Sequence, residues 1–357
     1  MKKFLFGLAT LALFASCSQD ETLEVSKGNA IDFQNAFVGN ATRSVVDPSY
    51  NMNEGNLTDF AVYGFMNQAS GVVFTDELVS KQNDGSWSYQ NTQYWTPGNT
   101  YYFAALAPGD ANTRKWTLTQ ASGDAAKLGI GTVDFENHGT QDLLYWANVY
   151  VNDANNNQAA NSVGITFNHL LSKVKFTFAN GLANANASIR VNNITITNAH
   201  TDATIDLATN NWWTNLDAWV IDETKTERFL FGNAAAGSTI NDVEPITQNG
   251  SQESFNELLL FPHENEELSI TFSIDLLYGD QVADTYAHDL TITQTLKMGY
   301  SYNFKATIDE SNIIDPDDPA HPDEDMKEIT FTVETIKDWV QSNEVTIPAG
   351  QDTPAQP

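Results

Sequence analysis

Apolar and polar positions alternate along most of this chain in short runs, and no long stretch carries the 3.6-residue period of an amphipathic helix. The clearest case is Ser269–Leu277. Ile270, Phe272, Ile274 and Leu276 fall on one face of an extended segment, and Ser269, Thr271, Ser273 and Asp275 on the other. One face meets a core and the other meets water, as an antiparallel sandwich requires. Runs rich in Val, Ile, Thr, Tyr and Phe, bounded by Gly, Asn and Asp, predict strands at Asp59–Phe65, Gly71–Leu78, Tyr101–Leu106, Leu143–Val151, Lys173–Ala179, Ser188–Thr197, Leu258–Phe261, Leu268–Leu276, Leu290–Leu296 and Tyr302–Ile308. The pattern predicts an all-β fold.

Two polar stretches interrupt it. Asn152–Asn161 is almost free of core residues and serves as the expected domain boundary. Asp309–Asp325 holds eight acidic residues with Pro316, Pro319 and Pro322. Proline blocks ladder pairing and like charges extend the chain, so this segment is a flexible acidic linker. Beyond it Ile329, Phe331 and Val333 alternate in Glu328–Val333 as one more terminal strand, and Pro348 to Pro357 reads as a frayed end. An internal echo links Gly98-Asn99-Thr100-Tyr101-Tyr102-Phe103 with Gly299-Tyr300-Ser301-Tyr302-Asn303-Phe304. Both read Gly-x-x-Tyr-x-Phe, a turn followed by a core strand.

The N-terminus sets the compartment. Lys2 and Lys3 precede an apolar run from Phe4 to Phe14, followed by Ala15, Ser16 and Cys17. That order is a secretory signal, and the run is too short to span a bilayer. The small-small-Cys ending resembles a lipobox, in which the cysteine is acylated, although Phe14 stands where such signals usually carry Leu. Several acyl chains on Cys17 would anchor the protein firmly, at about 0.8 kcal/mol per buried methylene. Cys17 is the single cysteine, so no intrachain disulfide forms and burial must hold the fold.

Charge then excludes partners. Without residues 1–16, 341 residues remain with 15 basic and 46 acidic side chains, a net charge of −31. Such a surface repels nucleic acid and anionic lipid.

The sequence offers no catalytic centre, metal site or cofactor motif. The six histidines (His138, His169, His200, His263, His288 and His321) show no metal-ligand spacing. His263-Glu264-Asn265-Glu266-Glu267 begins like a zinc-protease motif but ends in Glu. Gly129-Ile130-Gly131 lacks the third glycine of a dinucleotide loop and reads as a turn. No Gly-x-Ser-x-Gly elbow occurs. The acidic linker offers hard oxygen ligands for calcium but lacks an EF-hand pattern, which favours a solvated linker. Trp212, Trp213 and Trp219 cluster among polar residues, where aromatic faces could stack on sugars or anchor a long loop.

Several motifs in order along the mature chain resemble the fimbrillin family, the subunits of type V fimbriae. They are Ser18-Gln19-Asp20-Glu21 after the cysteine; Ala30-Ile31-Asp32-Phe33 followed by Ala41-Thr42-Arg43-Ser44; and Phe60-Ala61-Val62-Tyr63-Gly64-Phe65. Next come Gly85-Ser86-Trp87-Ser88-Tyr89 leading to Tyr94-Trp95-Thr96-Pro97-Gly98, then Tyr102-Phe103-Ala104-Ala105 with Ala107-Pro108. Ile165 to Val174, the second Gly-x-x-Tyr-x-Phe and Ile336-Lys337-Asp338-Trp339 complete the set. Arg43-Ser44 departs from the Arg-Ala of many relatives.

The resemblance implies two tandem transthyretin-like β-sandwich domains and an assembly route without enzymatic activity. The implied organisation is a signal peptide at 1–16, a lipidated segment at 17–43 that cleavage removes, an N-terminal sandwich at 44–157 and a C-terminal sandwich at 158–308. An acidic linker at 309–326 and a terminal strand segment at 327–357 follow. A trypsin-like surface protease would cut between Arg43 and Ser44, removing a strand that contains Ile31 and Phe33. A neighbour's C-terminal segment would then fill the groove. Ile329, Phe331 and Val333, or Val345 and Ile347, are the donor candidates, and Glu328–Trp339 is equally suited to completing its own sandwich. Arg43 suits the role, being one of four arginines and the single basic residue between Lys27 and Lys81. The expected location is the outer membrane through the lipid, then a fimbrium, with copies of itself or related subunits as partners. The alternatives are a glycan-binding surface lipoprotein or tip adhesin using Trp212, Trp213 and Trp219, and a lipid-retaining anchor subunit.

Overall fold

The computed structural model describes residues 30–38, 57–121, 130–151, 162–207, 218–231, 244–254, 256–313, 326–327 and 329–336. Among them the chain forms strands, with a 3-10 turn at Glu310–Asn312. In chain order the strands are β1 Phe33–Val38, β2 Asp59–Met66, β3 Gln68–Lys81, β4 Trp87–Ser88, β5 Thr100–Ala107, β6 Trp116–Gln120, β7 Gly131–Glu136, β8 Leu144–Val151, β9 Val163–His169 and β10 Ser172–Asn180. They continue with β11 Ala187–His200, β12 Asp202–Asp206, β13 Trp219–Ile221, β14 Thr226–Leu230, β15 Ser251–Glu253, β16 Leu258–Leu260, β17 Glu266–Tyr278, β18 Gln281–Gln294, β19 Ser301–Ile308 and β20 Thr332–Ile336. The all-β class read from alternation is the class observed.

Strand β2 shows how the first half is layered. Phe60 and Val62 turn into one core, and Ala61 and Tyr63 turn into another on the opposite face. A central strand buried on both faces carries apolar residues on both, which is why this segment reads as a nearly continuous apolar run. Its sheet has seven strands in the order β1-β9-β8-β5-β2-β3-β4. One face lines a core made with Ile31, Phe33, Trp87 and Trp95. The other packs on a four-stranded sheet, β13-β12-β7-β6, through Trp116, Val133, Phe135, Ile205 and Trp219.

The second half is a sandwich. One sheet runs β15-β10-β19-β20, with β16 also paired to β10, and the other runs β14-β11-β17-β18. Between them lie Phe176, Phe178, Ile270, Phe272, Ile274, Tyr302, Phe304 and Ile329. In β17 Leu268, Ile270, Phe272 and Ile274 are buried, as the alternation predicts. The alternation fails after Ile274: Asp275 and Leu277 are buried and Leu276 only partly so, beside a register shift between Leu276 and Leu277.

The halves are interleaved more than the expected division at residues 157/158 allows. That division falls between β8 and β9, which pair within one sheet. Strands β12 and β13 lie inside the expected second domain, yet β12 pairs with β7 over Asp202–Asp206 in the first half. The reason lies in β11, which runs on through the buried Thr201 into β12, so one continuous chain serves a sheet in each half. The core of the terminal strand segment also begins before its ladder. Ile329 and Phe331 pack against the second core, whereas the paired strand starts at Thr332.

Candidate functional site

Ile31 and Phe33 come from the first described segment, and each is 1% exposed. Strand β1 runs parallel to β9, pairing Phe33 with Val163 and Gln34 with Gly164, and the register breaks before Phe37 pairs with Thr166. The Val163 N–H donates to the Asp32 carbonyl at 2.7 Å. On the other side Ala30 forms an antiparallel bridge to Tyr94. The segment thus spans the space between a sheet margin and the loop that follows β4.

Phe33 inserts into a nest of four rings. Its centroid lies 5.9 Å from Phe60, 5.7 Å from Phe74, 5.6 Å from Tyr89 and 6.4 Å from Phe103. Edge-to-face contacts of this kind add about 0.5–1.5 kcal/mol per pair beyond the area buried. Gly64 makes the nest: a Cβ there would stand 2.9 Å from ring atoms of both Phe103 and Phe74. The sequence motif containing Gly64 is therefore a packing requirement on Phe33's neighbours.

The loop after β4 closes over this seat. The Ile31 N–H donates to the Gln93 carbonyl at 2.8 Å. The Tyr89 hydroxyl donates to the Ile31 carbonyl at 2.6 Å and accepts the Gln93 N–H at 3.3 Å. Burial raises the Tyr89 pKa above its ordinary value, which keeps the hydroxyl protonated as a donor. The loop is pinned from β3, where Glu77 accepts from the Gln90 and Asn91 N–H groups at 3.1 Å each and from the Asn91 side-chain amide at 2.8 Å.

The C-terminal candidates lie in the second half. Ile329 is buried and Phe331 is half-buried, packed on Phe176, Phe178, Phe272 and Phe304 at 5.7–6.5 Å. Val333 sits in β20 opposite Phe304 and is 39% exposed. In the structure described, Ile329 to Ile336 completes its own sandwich.

Trp219 is 5% exposed, its indole N–H donates to the Leu170 carbonyl at 2.9 Å, and its ring lies 4.9 Å from Phe261. It anchors a core and presents no face to a sugar, which corrects its reading as a glycan contact. Sequence cannot separate these roles, because an exposed platform and a loop anchor both set tryptophan among polar neighbours. Cys17, Arg43, Ser44, Trp212, Trp213, Val345 and Ile347 lie outside the described residues. Among the described residues no group of three His, Cys, Asp or Glu could hold a metal ion, and no helix is long and apolar enough to cross a membrane.

Sequence reasoning missed Tyr89, Gln93 and Glu77 as partners of the first strand. Tyr89 stood within a quoted motif, but a hydroxyl reaching a carbonyl 58 positions away leaves no local spacing to read.

Comparison with curated proteins gave no match. Solved structures do match. A fimbrial protein from Bacteroides vulgatus aligns over 86% of this chain and 99% of its own, at 14% identity and a TM-score of 0.56, and shares the fold. A cell-adhesion protein from Parabacteroides distasonis aligns at 11% identity over 87% of this chain and 97% of its own, with a TM-score of 0.46. The fimbrial anchor protein Mfa2 from Porphyromonas gingivalis aligns at 9% identity over 78% of this chain and 88% of its own, with a TM-score of 0.32. The sequence profile described as Fimbrillin-like matches residues 42–339. With that profile spanning most of the sequence, the chain belongs to the fimbrillin-like family of fimbrial structural proteins, which are not enzymes.

Proposed function

We propose that this chain is a structural subunit of a surface fimbria, exported as a lipoprotein on Cys17, matured by cleavage between Arg43 and Ser44, and polymerised by exchange of β-strands. The observation that carries the reading is the seat of Ile31 and Phe33. They fill the first core yet lie N-terminal to Arg43, so one cut severs them from the rest of the chain. Full burial of each such side chain is worth about 1.5–3 kcal/mol, so the strand keeps the precursor closed until it is cut. Its loss bares apolar rings beside unpaired backbone of β9, and strand addition from a neighbour offsets both costs. Ile329 and Phe331 already serve their own core, which favours Val345 and Ile347 as the donated pair.

Trypsin treatment of the precursor should trim it to Ser44 and yield ladders that resist mild detergent. Arg43→Ala should remain monomeric. A chain truncated after Val340 keeps the terminal ladder of its own sandwich, and should be cut normally yet form no ladders. Equal polymerisation by that truncated chain would rule out Val345 and Ile347 as donors, and ladders from Arg43→Ala would rule out cleavage there as the trigger.

A further inference from the structure

The loop between β4 and β5 holds the first strand by its backbone. The Ile31 N–H goes to a main-chain carbonyl, that of Gln93, and the Ile31 carbonyl accepts from a side chain, the Tyr89 hydroxyl. Both polar groups of one residue are therefore gripped. The loop also has anchors outside the strand. Glu77 pins its middle, and Trp95 plugs its end, 3% exposed and 4.7 Å from the Tyr101 ring. Tyr89 is itself braced, with Phe74 edge-on at 5.4 Å.

We propose that Tyr89 and Gln93 form a preorganised backbone clasp that grips the residue at the position of Ile31 in whichever strand occupies this seat, and that the Tyr89 hydroxyl sets how fast the first strand leaves. The inference deepens the strand-exchange reading and rests on it for the second clause. Backbone groups carry no sequence information, so the clasp accepts any extended strand with a free N–H at that position. Selection is left to the ring nest, which takes a large apolar side chain two residues further on. The occupant class is an extended peptide with large apolar groups at alternate positions, and a proline at the gripped position forfeits the N–H half. Tyr89 is a positioning residue: its ring packs in the nest, and its hydroxyl acts on backbone alone.

The test is Tyr89→Phe in the full-length chain, with Tyr63→Phe as control. Tyr63 loses a hydroxyl bonded to Asp76 on the other face of the sheet. In the uncut protein, amide exchange across residues 30–38 should quicken roughly five- to tenfold in Tyr89→Phe, the net worth of one hydrogen bond. The control should leave those amides unchanged. After cleavage at Arg43 the released fragment should dissociate faster by a similar factor, and ladders should appear sooner. Unchanged exchange at Ile31 overturns the clasp, and so does the same acceleration in the control. Faster exchange with an unchanged release rate overturns the rate-setting role. If Tyr89→Phe quickens exchange while cut wild-type chains never form ladders, the clasp stands and the strand-exchange reading falls.

Discussion

Each half of this molecule is plugged by an Ile-x-Phe segment near one end of the described residues. Ile31-Asp32-Phe33 serves the first half and Ile329-Thr330-Phe331 the second. Each phenylalanine enters a nest of four aromatic rings. One ring in each nest ends the Gly-x-x-Tyr-x-Phe echo, Phe103 at 6.4 Å from Phe33 and Phe304 at 6.5 Å from Phe331. The backbone attachments differ. The first plug runs parallel to β9 with a broken register, and the second adds a continuous antiparallel ladder to β19, from Lys305–Thr332 to Ser301–Ile336. The first is sealed at 1% exposure, while the second leaves Phe331 half-buried and Val333 exposed. Burial holds one plug and pairing holds the other, so two similar side-chain seats place different demands on the backbone.

The largest effect should come from emptying the seats. Phe33→Ala should cost about 3–5 kcal/mol, the range for a fully buried phenylalanine. Phe331→Ala should cost less, because part of its surface stays exposed in the fold and the gain lost on truncation is smaller. Urea unfolding of both variants measures the difference. Equal costs would break the contrast between burial and pairing.

Alternation made these seats partly legible in the sequence. It placed β2, β5, β10, β17 and β19 within a residue or two of their observed bounds, because each buries a long apolar face. The four-stranded sheet of the first half was not legible. Its strands are at most six residues long, and the large side chains that β7 buries are Val133 and Phe135 alone. The pairing of β7 with β12 joins segments nearly 70 positions apart, and no local period encodes that. Ile31 and Phe33 were singled out through the family resemblance and not by alternation, and the ring nest and the Tyr89 hydroxyl follow from tertiary approach alone. Trp219 took the anchoring one of its two readings, which composition alone cannot choose, because it reports the loop around a residue and not the depth of its side chain.

The echo itself predicts matched, smaller effects. Gly98 and Gly299 both adopt positive φ, +80° and +70°, which turns the chain back before the strand. Tyr101 then accepts the Thr96 N–H at 2.7 Å, and Tyr302 accepts the Lys297 N–H at 2.9 Å, five residues upstream in each case. Burial pushes the Tyr302 pKa up to about 12, so its hydroxyl stays neutral. Tyr101→Phe and Tyr302→Phe each leave a backbone N–H without its partner and should cost about 1–3 kcal/mol, with the two values close. A gap wider than about 1 kcal/mol in thermal unfolding would mean that the shared spacing hides two different devices.

The smallest expected effect distinguishes the plugs by pH. His288 stacks on Phe272 at 5.2 Å, and Phe272 is one wall of the Phe331 nest, whereas among the described residues no histidine ring packs on Phe33. Burial lowers the His288 pKa below its ordinary 6.5, against a backbone contact with Asn312 that acts the other way. A depressed histidine favours the neutral form in the fold. Its stability contribution is complete above pH 6.5 and is lost as pH falls through the folded value. His200 has the opposite sign. Its contact with Glu266 at 3.4 Å raises its pKa, so its contribution is complete below pH 6.5 and fades as pH rises through the raised value. The two windows lie on either side of 6.5, so acidification below that point isolates His288. Amide exchange in β20 should quicken there relative to β1, by less than tenfold per pH unit because one proton is coupled. His288→Phe should abolish the difference while keeping the ring stack on Phe272. If β1 and β20 respond alike to acid, or the variant keeps the response, the second plug is not titrated through its nest and the two seats differ only in how their backbones are held.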